Sequence, residues 1–213
     1  MQTLRCLALL LIVSGCTGAA AIPTPTPVPT ATPTTTPTET PAPLTRSFFI
    51  VDEASTVKYE GLLQIGNVKV NGQFKTKGNM VRAVPQGDSY LLDVDVLLVG
   101  DPQDSNKDDF VGKALASALE VDKYPNGRFT AKIADPISLA VETTLKTTAT
   151  GTLELHGQQR PLSFPVDVTF TAGKLTFSGS VKIDLLDFKI NIPTALMKSQ
   201  VTITAAIVAG ETR

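Results

Sequence analysis

The sequence predicts an all-β domain, an antiparallel sheet of seven or eight strands, wide enough to roll into a barrel, with one short helix, preceded by a segment that belongs to no fold. Three observations carry this prediction. From residue 47 onward apolar and polar residues alternate with a period of two, which marks strands buried on one face. Turn-forming pairs punctuate the alternation at Gly66-Asn67, Gly78-Asn79, Gly87-Asp88, Asn126-Gly127 and Ala172-Gly173. A single stretch, residues 105–121, has helical spacing, and one helix does not support a parallel βαβ layout.

In chain order, residues 1–15 read as an export signal. Arg5 supplies a basic start, and Cys6 to Val13 is an apolar run too short for a hydrocarbon core of about 30 Å. Val13-Ser14-Gly15-Cys16 resembles the lipobox of bacterial lipoproteins, which implies cleavage before Cys16 and acylation of its thiol, with Cys6 leaving in the signal. At about 0.8 kcal/mol per buried CH₂, two or three acyl chains would hold the protein on the membrane essentially permanently. Residues 16–44 are the expected tether, with eight Pro and nine Thr between residues 23 and 43. Proline removes the amide donor and pins φ, so this tract suits a stiff polyproline-II spacer that reaches up to about 65 Å. The expected address is the extracytoplasmic face of the bacterial cell membrane.

Residues 45–213 form the expected barrel domain. Val68, Val70, Gly72 and Phe74 share one strand face. Tyr90, Leu92, Val94, Val96 and Leu98 share another, with Asp93 and Asp95 facing water. The helical stretch follows, placing Phe110, Ala114, Leu115, Ala118 and Leu119 on one side behind a Ser105 or Asn106 cap. It suits a plug at a barrel end or a cover over a sheet edge. Strand spacing returns in Phe129/Ala131/Ile133, Leu153/Leu155 and Val166/Val168/Phe170. The longest run is Leu175, Phe177, Gly179, Val181, Ile183 and Leu185, where Gly179 lets a long strand bend. Val201, Ile203, Ala205 and Ile207 complete the series.

Composition excludes several function classes. The whole chain has 19 basic and 20 acidic residues, and removing Arg5 and Glu39 leaves 18 and 19 for the domain, with no basic stripe for nucleic acid. Two Cys and one His exclude a disulfide scaffold and any metal site needing several such ligands. No nucleophile elbow, phosphate loop or flavin fingerprint is present, so no enzyme is expected. His156, between Leu155 and Gly157, reads as a turn residue; Asp184 and Asp187 read as strand-end acceptors for turn amides rather than a carboxylate pair for hydrolysis. Asp108-Asp109 suits a helix start.

Five ordered strings then resemble the YceI-like domain family. They are Phe49-Ile-Val-Asp52 with Ser55-Thr-Val-Lys-Tyr59; Val70-Asn-Gly-Gln-Phe74; Asp109-Phe-Val-Gly112 leading through Val121-Asp-Lys-Tyr-Pro125 to Phe129; Gly151-Thr-Leu-Glu-Leu-His-Gly157 with Arg160-Pro161; and Phe177-Ser-Gly-Ser-Val-Lys-Ile-Asp184 with Asp187-Phe188. The resemblance covers most of residues 48–209 and implies an extended eight-stranded lipocalin-like barrel that is exported and binds polyisoprenoid or other long-chain lipid. Two departures stand out: Ala118-Leu119-Glu120 where members often carry a bulkier Phe-Phe-Asp-like segment, and Lys189 where Gly is usual.

The expected function is therefore carriage or storage of a polyisoprenoid, an isoprenoid quinone or a fatty-acyl lipid. The candidate pocket residues are Phe74, Leu92, Phe110, Leu115, Phe129 and Phe188. No cofactor is expected beyond such a ligand, and no metal or nucleic acid; the partners are the lipid, the membrane and, as an open question, a second copy of the chain. Small inward residues (Gly72, Ala131, Gly179, Ala205) leave room for a tunnel but suit interlocked packing equally well. The alternative is a surface domain with a packed core and no ligand.

Overall fold

The computed structural model describes residues 43–64, 66–99, 103–104, 117–192 and 197–211. The expected signal, Cys16, nearly all of the tether, and the pocket candidates Phe110 and Leu115 lie outside these residues. So does most of the predicted helix, of which Ser117 and Ala118 are seen as helical.

Eleven strands form one antiparallel sheet: β1 (Arg46–Ile50), β2 (Thr56–Leu62), β3 (Lys69–Phe74), β4 (Met80–Gln86), β5 (Ser89–Val99), β6 (Gln103–Asp104), β7 (Asn126–Ile133), β8 (Thr143–Leu155), β9 (Gln158–Thr171), β10 (Lys174–Asp184) and β11 (Gln200–Glu211). Short 3₁₀ turns occupy Asp52–Ala54 and Leu185–Phe188. The alternation converts directly into burial: in β10, Leu175, Phe177 and Ile183 are buried while Ser178, Ser180 and Lys182 are exposed. Two hairpins close on two-residue turns with both residues left-handed, His156 (φ 51°) and Gly157 (φ 68°), then Ala172 (φ 49°) and Gly173 (φ 75°). These turns match the right-handed twist of their strands.

The sheet closes into an eight-stranded barrel, and it does so at two levels. Near the β9–β10 hairpin the ring is β1-β4-β5-β7-β8-β9-β10-β11, joined by the pairing of β1 with β11. Toward the β8–β9 hairpin, β11 leaves β1 and pairs with β2, which pairs with β3. The chain after β3 then meets the end of β5, where Thr76 bridges Leu98 and the Val99 amide donates to the Lys75 carbonyl over 2.8 Å. Strands β5 and β11 thus serve both rings because they are long enough to change partners halfway along.

One expected turn is corrected. Asn126 and Gly127 begin β7, paired with Val99 and Leu98. Gly127 sits close to β8 there: a Cβ on it would stand 3.3 Å from the Glu154 carbonyl oxygen, a tight contact.

Burial resolves into two clusters. The upper one is built on Phe48, Leu92, Val168 and Leu175, all fully buried. The lower contains Tyr59, Leu119, Phe188, Ile190 and Ile192. Phe74, Phe129 and Ile203 pack against both and form the waist.

Candidate functional site

The interior of the barrel is the candidate site because its strands aim hydrocarbon at one enclosed space. That space has a volume of about 90 Å³. A single water needs only about 10–15 Å³, so the void is genuine. Its wall takes Val94, Val96 and Leu98 from β5, Phe129 and Ile133 from β7, Leu153 from β8, Leu162, Phe164 and Val166 from β9, Phe177 and Gly179 from β10, and Ile203 and Ile207 from β11. No lining side chain carries a polar atom. A space of this kind favours an apolar guest over water, which would lose hydrogen bonds on entering.

Below the waist lies a second apolar chamber of about 30 Å³, walled by Tyr59, Phe74, Leu119, Leu155, Ile183 and Met197 among others. Ile203 lines both chambers. Tyr59 and Phe74 meet as tilted rings with centroids 5.3 Å apart, and Phe129 meets Phe164 likewise at 5.6 Å. A guest longer than the upper chamber must turn these rings aside.

The sequence-derived candidates divide accordingly. Phe129 is in the wall of the larger chamber, Phe74 in that of the smaller, and both stand at the waist. Leu92 and Phe188 are buried in the upper and lower clusters, away from either chamber wall. Sequence reasoning passed over Leu162 and Phe164, although Leu162, Phe164 and Val166 alternate correctly, because Pro161 and Pro165 interrupt the pattern with residues that argue against an interior strand.

Both barrel ends are stoppered by side chains. At the upper end Ile137 and Leu139 are buried, and the Arg46 guanidinium lies 5.4 Å and 5.5 Å from the Phe48 and Phe170 ring centres. It donates to both Glu211 carboxylate oxygens (2.8 and 2.6 Å) and to the Leu139 carbonyl (3.1 Å), and the Glu211 hydrogen bond raises its pKa above the usual arginine value. At the lower end His156 acts as a strap. Its Nδ1 lies 3.1 Å from the Phe188 carbonyl and its Nε2 3.0 Å from Glu120 Oε2, two acceptors between which the ring is held. Both contacts hold buried side chains in place, since Leu119 precedes Glu120 and Phe188 bears the carbonyl. Asp184 accepts from the Leu186 amide and the Ser199 hydroxyl, both at 3.0 Å, which occupies it in turn formation.

The outer face of β4, β5, β7 and β8 carries a wider recess, about 510 Å³, but it is open to solvent and lined by charged and threonine side chains such as Arg82, Asp95, Lys132 and Thr150. Among the described residues no three His, Cys, Asp or Glu side chains group as a metal site, and no helix is long and apolar enough to cross a membrane.

Comparison with known proteins adds the following. The YceI-like domain family matches residues 48–209. The fold is similar to that of BcnA from Burkholderia cenocepacia, with a TM-score of 0.57 at 19% identity, covering 75% of this chain and 98% of that one. It is similar to a polyisoprenoid binding domain from Saccharophagus degradans implicated in plant cell wall breakdown, with a TM-score of 0.58 at 13% identity, covering 78% and 99%. A YceI protein from Campylobacter jejuni gives a TM-score of 0.50 at 21% identity, covering 70% and 88%. No curated protein sequence matches the chain.

Proposed function

Because this chain belongs to the YceI-like domain family, we propose that its barrel takes up one long apolar chain, an isoprenoid, an isoprenoid quinone or a fatty-acyl lipid, for carriage or storage. The observation that carries this reading is the larger chamber inside the barrel, walled by hydrocarbon side chains. Each CH₂ moved from water into such a space contributes about 0.8 kcal/mol, so a slender chain binds without polar contacts along its length. The Saccharophagus degradans domain of similar fold is described as binding polyisoprenoid, which supports the same class here.

The reading extends to location: a lipid on Cys16 and the proline-threonine segment would display the barrel outside the bacterial cell membrane. No step of this function is chemical, so no residue is assigned a catalytic role.

The test is to purify the full chain from membranes and extract it for mass spectrometry, then titrate the emptied protein with a short-chain ubiquinone and with fatty acids. One retained long-chain lipid per protein, displaced by either titrant, is the expected result. A protein that emerges empty and binds none of these is instead a packed surface domain. Cys16→Ser should move the protein from the membrane fraction to the soluble one; retention at the membrane would remove the anchor from the proposal.

A further inference from the structure

The two edges of β9 differ, and the difference bears on how a guest reaches the cavity. Along β8 the strand pairs through thirteen residue pairs, from Thr143–Phe170 to Leu155–Gln158. Along β10 it pairs through six, from Thr171–Lys174 to Val166–Gly179, and the ladder ends there. Continuing the register would set Pro165 opposite Ser180, Ser163 opposite Lys182 and Pro161 opposite Asp184.

Hairpin geometry explains the stop. The pair closing a two-residue turn is hydrogen-bonded, so Thr171 and every second residue behind it direct their N–H toward β10. Residues 165 and 161 are on that list and have no N–H to give. The even-numbered residues of β9 donate to β8, and none of them is proline, so that seam is untouched.

Below Gly179 the barrel wall therefore has a seam without a ladder. The 3₁₀ turn Leu185–Phe188 and the His156–Phe188 contact close its lower end. Leu162 and Phe164 on one side and Gly179 and Val181 on the other are all cavity wall. The Phe164 ring leans across the top of the seam, so that a Cβ on Gly179 would come within 3.0 Å of it. Both barrel ends, in contrast, are filled by buried side chains among the described residues.

We infer that the apolar chain enters and leaves sideways, through the β9–β10 seam, with Phe164 as the side chain that covers the opening. This inference rests on the apolar-chain reading above. The outer rim is mixed: Pro161 and Pro165 on β9 and half-exposed Leu186 on the turn below offer apolar surface beside exposed Ser163, Ser180 and Lys182.

The experiment is stopped-flow fluorescence of the full chain with cis-parinaric acid, a polyene fatty acid. A barrier on the path scales association and dissociation equally and leaves Kd alone. Pro161→Val with Pro165→Val restores the two missing donors, and both rates should fall about thirtyfold, the factor for two further backbone hydrogen bonds of about 1 kcal/mol each that must break before opening. Phe164→Ala should raise both rates, and it decides the matter if the double variant does not fold. Arg46→Ala loosens the upper stopper and should leave both rates as they are. Unchanged rates in the first two variants, or acceleration by Arg46→Ala, would overturn the side portal while leaving the binding function intact. Failure of the wild-type chain to bind the probe overturns both.

Discussion

The β8–β9 seam and the β9–β10 seam are flanks of the same strand, yet one is laddered from end to end and the other for only part of its length. What separates them is backbone chemistry rather than hydrophobicity. The inward face of β9 is apolar throughout from Leu162 to Phe170, so burial favours closure on both flanks. Placing proline at two odd positions withdraws donors from one flank alone, which opens a wall without disturbing the core behind it. A barrel that had to accept a chain through its end would need to move packed side chains; one with an incomplete seam needs to move little more than a ring.

The largest effect is expected from Gly151→Ala in β8, on the flank that this strand turns to β7, which tests the neighbour that backs the closed seam. A methyl there would overlap the Thr130 carbonyl oxygen and stand 2.6 Å from Ala131 Cα, backbone that cannot yield. Chemical denaturation should show a loss of about 3 kcal/mol or more; a loss below 1 kcal/mol would mean that β7 and β8 are not so closely apposed. Next in size is Gly179→Ala, at the point where the open seam begins. Its Cβ would meet the Phe164 ring at 3.0 Å and the Pro165 carbonyl at 3.1 Å, and because the ring can swing away the expected cost is about 1–2 kcal/mol by the same measurement.

The double proline replacement sharpens the contrast differently. Two new hydrogen bonds at about 1 kcal/mol each are offset by about 0.4–1 kcal/mol per proline of regained unfolded-state entropy, so stability should shift by less than about 1 kcal/mol. The amides introduced at positions 161 and 165 should nonetheless exchange slowly with solvent hydrogen; fast exchange there would show that something other than the prolines holds the strands apart. The smallest effect belongs to Thr150→Ala, which removes an exposed hydroxyl contact of 3.0 Å with Ser163 across the closed seam. A loss of about 0.2–1 kcal/mol is expected in thermal unfolding, and a larger one would point to unrecognised coupling across β8 and β9.

Much of the barrel was legible from alternation: β5, β9 from Val166 on, β10 and β11 are read almost directly from their apolar faces. Strand β8 was legible only at its end. Its first half, Thr143 to Thr150, has Leu145 and Ala149 as inward residues among threonines, too little hydrocarbon to register as a face. Asn126-Gly127 carried the usual dipeptide signal for a turn, which the surrounding sheet overrode by pairing both residues with the end of β5. Of the candidate site, Phe74 and Phe129 were reached through a family resemblance and their alternation, while Leu162 and Phe164 were hidden by the prolines that make their position informative.

By itself the sequence determined the class of fold, the two left-handed hairpin turns, an interior of hydrocarbon, and which donors β9 would lack. Each of these is local, set by the period of two or by a single residue's φ or missing N–H. Only the tertiary structure decided that the barrel closes twice, that its ends are stoppered by Arg46 and by the His156 strap, and that the incomplete seam falls over the cavity. Those facts depend on which strands become neighbours, and strand pairing between residues more than a hundred positions apart, such as Ile50 with Ala209, is written in no local pattern.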